Sequence, residues 1–268
     1  EDAVARYFGW EILPFDALSP TVEVSSSRIT ALARLMRRTP TVVVATVDAM
    51  MQRTLSVRDL AAAVRRLATG DAIDRDELVA AFDAAGYVRA SVVEERGQLA
   101  VRGAVVDLFP PDTVSPIRLE LFGDELESIR TFDAATQRSL AELSAIEILP
   151  VREIPVIDDP LLSARLLSRA RELDLSSRDL RMIEEAASSG SRWPGMEHLL
   201  PLIATGTATL WDYIPAETLI VAFDEPALLR SAEDFSTLVR ERALRAQLEG
   251  PLFPEPATAY ENTAEYQA

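Results

Sequence analysis

Three observations predict an α/β protein with a parallel sheet that carries a smaller α+β unit inside it. The stretch "SSSRITALARLMRR" has helical spacing and leads into "TVVVATVDAM", a continuous apolar, β-branched run that suits a parallel strand covered on both faces. Alternating strand signals then crowd between residues 98 and 132, with connections too short for crossovers, which is an antiparallel pattern. From about Leu149 helical spacing returns and runs on to a second buried-strand signal, Leu219 to Phe223. Residues 1–56 therefore open the α/β layer, 57–149 form the inserted unit, 150–255 return to the layer and 256–268 are a tail.

Each element has its own warrant. Pro14 and Pro20 frame an irregular stretch in "YFGWEILPFDALSP". Ile29, Leu32, Leu35 and Met36 share one face of the helix that follows, with Ser25 to Ser27 as candidate caps. Residues 57–69 are amphipathic, and "AIDRDELVAAFDAAGY" is a bounded helix. Asp74 can cap it, Glu77 stands at the capping-box position, and Gly86 suits the residue just past its end. Strands are expected at 98–109, 116–122 and 126–132, the last two joined at Gly123-Asp124. Residues 159–190 and 227–249 have helical patterns.

Composition narrows the function. The 268 residues are 48% hydrophobic, enough for a sizeable core, with neither a membrane-length apolar run nor a signal-peptide pattern. A cytoplasmic protein is expected, and a monomeric one. Cysteine is absent, and the single histidine, His198 in "GMEHLLP", is read as structural or solvent-facing rather than as a metal or catalytic residue. The net charge is −16, the wrong sign for neutralising phosphates, so direct DNA binding is not expected. Every cation is an arginine; without lysine no G-x-x-x-x-G-K phosphate loop can exist here. A chain that opens without methionine and closes on a polar stretch reads as part of a longer one.

Two motifs could carry function. "LIVAFDEP" has an apolar strand ending on Asp224 and Glu225, as in a Walker B element that would position Mg²⁺ and polarise water. The plain alternative is a proline-started helix with acids near its positive end. Without a phosphate-loop lysine the alternative is preferred, and no catalytic, cofactor or metal site is assigned. The second motif is a set of arginines in the strands. In "PIRLELFGDEL", Ile117, Leu119 and Leu121 point to the core while Arg118, Glu120 and Phe122 form the outer row. Arg102 stands between Ala100 and Ala104, clear of bulky neighbours. Arginine forks beside an exposed ring have the composition of a protein-binding hot spot; a solvated face with an Arg118–Glu120 pair is the plain reading of the same residues.

At these residues the chain resembles a known family. "GYVRASVVEERGQLAVRGAVVDLFP" and "IRLELFGDEL" are similar to the second domain shared by the excision-repair protein UvrB and the transcription-repair coupling factors. "YFGWEILPFDALSP", "VVVATVDAMMQRTLS" and "GMEHLLPL" extend the likeness in order. The short interval before the first helix leaves no room for UvrB's DNA-clamping hairpin, and Pro226 follows the acidic pair, so the coupling factors resemble it more closely. The resemblance implies a degenerate RecA/helicase-like parallel-sheet domain around an inserted UvrA-binding domain. UvrA contacts carry over to Arg89, Arg102, Arg118, Glu120 and Phe122, with Arg96 as a weaker candidate. Ala100 stands where UvrB has another arginine, so one UvrB salt bridge cannot form. The resemblance also implies that RNA polymerase, DNA, ATP and Mg²⁺ are handled by other domains of the parent protein. The alternative function is a UvrB-type DNA-dependent ATPase acting on damaged DNA. A third reading has the same face covered by another part of the parent chain.

Overall fold

The computed structural model describes residues 3–154, 162–178, 180, 181, 184, 185, 194–204, 206–249 and 252–262. Strand β1 (Val4–Tyr7) pairs in parallel with β2 (Val42–Ala45), and helix α1 (Val22–Met36) lies between them in the chain. Thr21 starts α1: its backbone is extended and its hydroxyl accepts from the Val24 N–H at 3.3 Å. Ser25 to Ser27, the expected caps, lie inside the helix instead, with Ser25 and Ser26 buried. One face of α1 places Ile29 and Leu32 against Ala5 and Tyr7 in a shared core.

The parallel layer is smaller than the sequence predicts. β2 is not covered on both faces, since Val42 and Val44 are 58% and 46% exposed. Leu219–Phe223 is not a buried strand: it forms no strand, and Leu219 and Phe223 are 85% and 89% exposed. An apolar β-branched run marks a chain that favours extension, but a strand also needs a neighbour to pair with, and among the described residues none stands there.

Helices α2 (Val47–Met51) and α3 (Val57–Ala63), with β3 (Thr54–Leu55) between them, complete the first passage. Leu60 of α3 packs with Ile29 and Leu32, so α3 belongs to the outer core rather than to the inserted unit expected from residue 57. The insert instead runs from β4 (Arg65–Ala68) to β11 (Ala145–Ile148), which pair antiparallel so that the chain arrives and leaves side by side. Between them lie α4 (Arg75–Ala84), β5 (Val88–Arg89), β6 (Gln98–Arg102), β7 (Val105–Leu108), β8 (Ile117–Phe122), β9 (Glu125–Phe132) and β10 (Ser139–Leu143). Asp74 caps α4, accepting from Glu77 N–H at 2.8 Å.

The insert's sheet has six strands in the order β10-β9-β8-β7-β6-β5, antiparallel except for the parallel β5–β6 pair. The predicted strand 98–109 is a hairpin, β6 and β7, turning at Gly103. Leu78, Val79 and Phe82 of α4 cover one face, against Leu99, Val106, Leu119 and Ile129. That leaves the opposite face of the sheet free of helix α4.

Past the insert come α5 (Leu162–Glu172), a 3-10 turn at Met196–Leu199, α6 (Leu200–Ile203), β12 (Thr207–Ala208), α7 (Glu225–Glu249) and α8 (Pro256–Ala259). β12 pairs antiparallel with β3, and Leu228 and Phe235 of α7 pack against the cluster of Val47, Met51 and Ala232. Within the predicted helical stretch 159–190, α5 is a helix, while residues 159–161, 179, 182, 183 and 186–190, like the last six residues of the tail, lie outside the described residues.

One buried ion pair ties insert to body. Arg28 on α1 meets Glu153, just past the insert, at 2.5 and 3.1 Å, and both side chains are essentially inaccessible. Tyr7, Thr54 and Trp10 complete the bonding: Arg28 donates to the Tyr7 hydroxyl, while Thr54 and Trp10 donate to the carboxylate. Burial pushes the Tyr7 phenol up to about 12, so it stays neutral.

Candidate functional site

Period-two alternation decides which side chains reach the free face of the sheet. Ala100, Asp107, Arg118 and Arg130 stand opposite one another on β6, β7, β8 and β9. The adjacent row runs from Arg102 through Val105 and Glu120 to Ser128. A register shift between Glu120 and Leu121 then leaves Phe122 opposite Glu125 at the hairpin end. There the ring is 78% exposed.

Asp107 organises this face. Its side chain is 1% exposed, yet it accepts Arg118 Nε and Nη2 at 2.7 and 2.9 Å and also accepts Arg102 Nη2. A charge so buried needs such partners, because its desolvation is offset only by directed, charge-assisted hydrogen bonds. The bond to Asp107 pushes the Arg118 guanidinium above its ordinary value, so it is permanently charged. Arg118 also lies over the Phe132 ring, 4.6 Å from its centroid, and donates Nη1 to the Gln137 carbonyl.

The Arg118–Glu120 pair expected from the sequence does not form, since Glu120 turns to the other side. Its Oε2 accepts from Ser128 Oγ at 2.7 Å and from Arg130 Nη1 at 3.0 Å. Arg118 and Arg130, directly opposite on neighbouring strands, would repel; each is held by a different carboxylate. The network therefore sets three arginines against two acids on a protein whose total charge is −16.

The other candidates sit apart or at the margin. Arg96 lies 5.1 Å over the Phe109 ring and donates to the Thr113 carbonyl. Phe109 belongs with Val93, Ala100 and Phe132 to a small cluster on the outer face, so Arg96 borders the network. Ala100, where UvrB has an arginine, is buried in that cluster. Arg89 is not brought to this face. It pairs bidentately with Asp83 of α4 at 2.8 and 2.7 Å, on the helix side of the sheet edge.

Asp224 has a positive φ of 59° and caps α7 through the Ala227 N–H, with Glu225 in the first turn. The pair thus acts as a helix start. His198 is buried against Trp10 and Phe15 with both ring nitrogens unbonded to protein, and burial lowers its pKa to about 4. Among the described residues no cluster of histidines and acids is set to hold a metal, and no helix is long and apolar enough to cross a membrane.

Sequence reading missed Asp107, Ser128 and Arg130. The signal for Asp107 was present: an acid in "VVDLF", inside an otherwise apolar strand, needs a cation.

Comparison with known proteins places this face in a named domain. Residues 66–153 match the UvrB interaction domain family. A transcription-repair-coupling factor of Haemophilus influenzae is 39% identical over 218 residues, covering 81% of this chain and 19% of the relative. That of Escherichia coli is 35% identical over 257 residues, covering 95% of this chain and 22% of the relative. A UvrABC system protein B from Gemmatimonas aurantiaca is more distant, 28% identical over 221 residues, with 74% and 31% covered. The chain thus spans about a fifth of the length of its coupling-factor relatives.

Proposed function

We propose, from the match of residues 66–153 to the UvrB interaction domain family, that this chain is the UvrA-recruiting module of a transcription-repair coupling factor. It resembles those factors over most of its length. The observation that carries the proposal is the free sheet face, where Arg102, the Asp107–Arg118 pair, Glu120 and exposed Phe122 stand together. Such a face suits protein recognition: an exposed ring supplies apolar area, and fixed guanidinium forks supply direction. In the parent protein an ATP-driven DNA translocase with its Mg²⁺ acts through other domains. It works in the bacterial cytoplasm on stalled RNA polymerase, while this module presents the face to UvrA.

The outer α/β part is read as a degenerate RecA-like domain reduced to its parallel β1–β2 pair and the helices packed on it. Loss of a nucleotide site is compatible with a recruiting role, because docking needs a rigid platform rather than hydrolysis. A UvrB-type ATPase acting directly on DNA is not favoured, given the charge and the missing lysine.

Competition tests the proposal. UvrA loaded with UvrB should release it as this chain is added, because both would occupy the same UvrA surface. Simultaneous binding of the two to one UvrA site would show that the face is not a UvrB mimic.

A further inference from the structure

The residues carried over from the family are not equal in the structure. Arg118 is 15% exposed along its side chain and spends Nε, Nη1 and Nη2 on Asp107 and Gln137. Arg102 is 46% exposed and gives only Nη2 to the same carboxylate. One arginine is thus largely committed within the protein, while the other keeps most of its fork turned outward. Among the described residues Asp107 is the one group that both bond, and it is almost wholly buried beneath them.

We infer that Asp107 is a positioning residue for docking: it fixes Arg102 in a contact-ready geometry, and Arg118 anchors the carboxylate that does so. This rests on the UvrA-docking reading and assigns the work within it. A free arginine on an exposed strand end samples many rotamers, and ordering it on binding reduces affinity. One bond to a buried carboxylate removes most of that freedom before the partner arrives, while leaving Nε and Nη1 of Arg102 for an acceptor on the partner. Asp107 can hold Arg102 because Arg118, locked over Phe132 and bonded through two nitrogens, fixes the carboxylate plane. The partner chemistry that fits is an acidic or carbonyl acceptor opposite Arg102, beside an apolar recess for Phe122.

The test is a pair of backgrounds. Asp107→Asn keeps the shape of the side chain and removes the charge, and it should lower UvrA affinity about tenfold in otherwise unmodified protein. Combined with Arg102→Ala, the same change should add little, because its effect passes through Arg102. A purely structural role would cost the same factor in both backgrounds, and that result overturns the inference; so does unchanged affinity in Asp107→Asn alone. Thermal unfolding of each variant separates loss of fold from loss of geometry. If Asp107→Asn does not fold, Asp107→Glu, with its charge kept but its carboxylate displaced by a methylene, takes its place under the same comparison. Failure of the unmodified chain to bind UvrA would remove the docking reading itself, a different result from unchanged binding by the variant.

Discussion

At the scale of single residues, a strand's outward set is visible in sequence, but its partners are not. Period two places Arg118, Glu120 and Phe122 on one face from their positions alone. Which carboxylate each arginine takes depends on the register of the next strand, and that register comes from pairing rather than from local pattern. Asp107 and Arg130 therefore emerge only when β7, β8 and β9 are set side by side. His198 shows the same limit: the sequence left it either packed or exposed, and it is packed between Trp10 and Phe15. Its folded pKa of about 4 lies below the ordinary 6.5, so the unfolded chain takes up the proton first as pH falls. Its stabilising contribution is complete above about pH 6.5 and is lost progressively down to about pH 4, a change of about 3 kcal/mol. Replacing it, as in His198→Leu, should flatten that part of a stability-versus-pH curve measured by urea unfolding. An identical slope in both proteins would show that the imidazole does not titrate in the folded state as assigned.

At the scale of elements, bounded helices were legible and isolated strands were not. Asp74 and Gly86 mark the limits of α4 because capping acts within a few residues. Leu219–Phe223 has the composition of a buried strand but lacks a neighbour, and β2, with the same composition, has one on a single side. A buried link between elements also escaped the sequence. Arg28 and Glu153 are 125 positions apart, and nothing local announces their pairing. They join α1 and the end of the insert through a closed set of hydrogen bonds with Tyr7, Trp10 and Thr54. Glu153→Ala would leave the Arg28 charge buried without its counter-ion, and a loss of about 3–5 kcal/mol in unfolding free energy is expected. A loss below about 1 kcal/mol would mean that the pair contributes little beyond what packing supplies.

For the molecule as a whole, the order of parts was readable because an antiparallel cluster interrupts a helical, α/β context. The exact start of the insert was not, since α3 is amphipathic like the helix inside the insert and only packing assigns it to the outer core. β4 and β11 hold the insert's two ends together, and the Arg28–Glu153 bond fixes it to the body. The free face is therefore carried on a frame held at both ends, with its charges already paired, against a strongly acidic background. The central claim is that this face docks UvrA. Calorimetric titration of UvrA with the chain and with Arg102→Ala, Phe122→Ala and the distant control Arg240→Ala tests it most directly. Binding is predicted to weaken about thirty-fold or more in the first two variants, about 2 kcal/mol each, and to be unchanged in the control. Equal binding by all four proteins, or none by the unmodified chain, would contradict it.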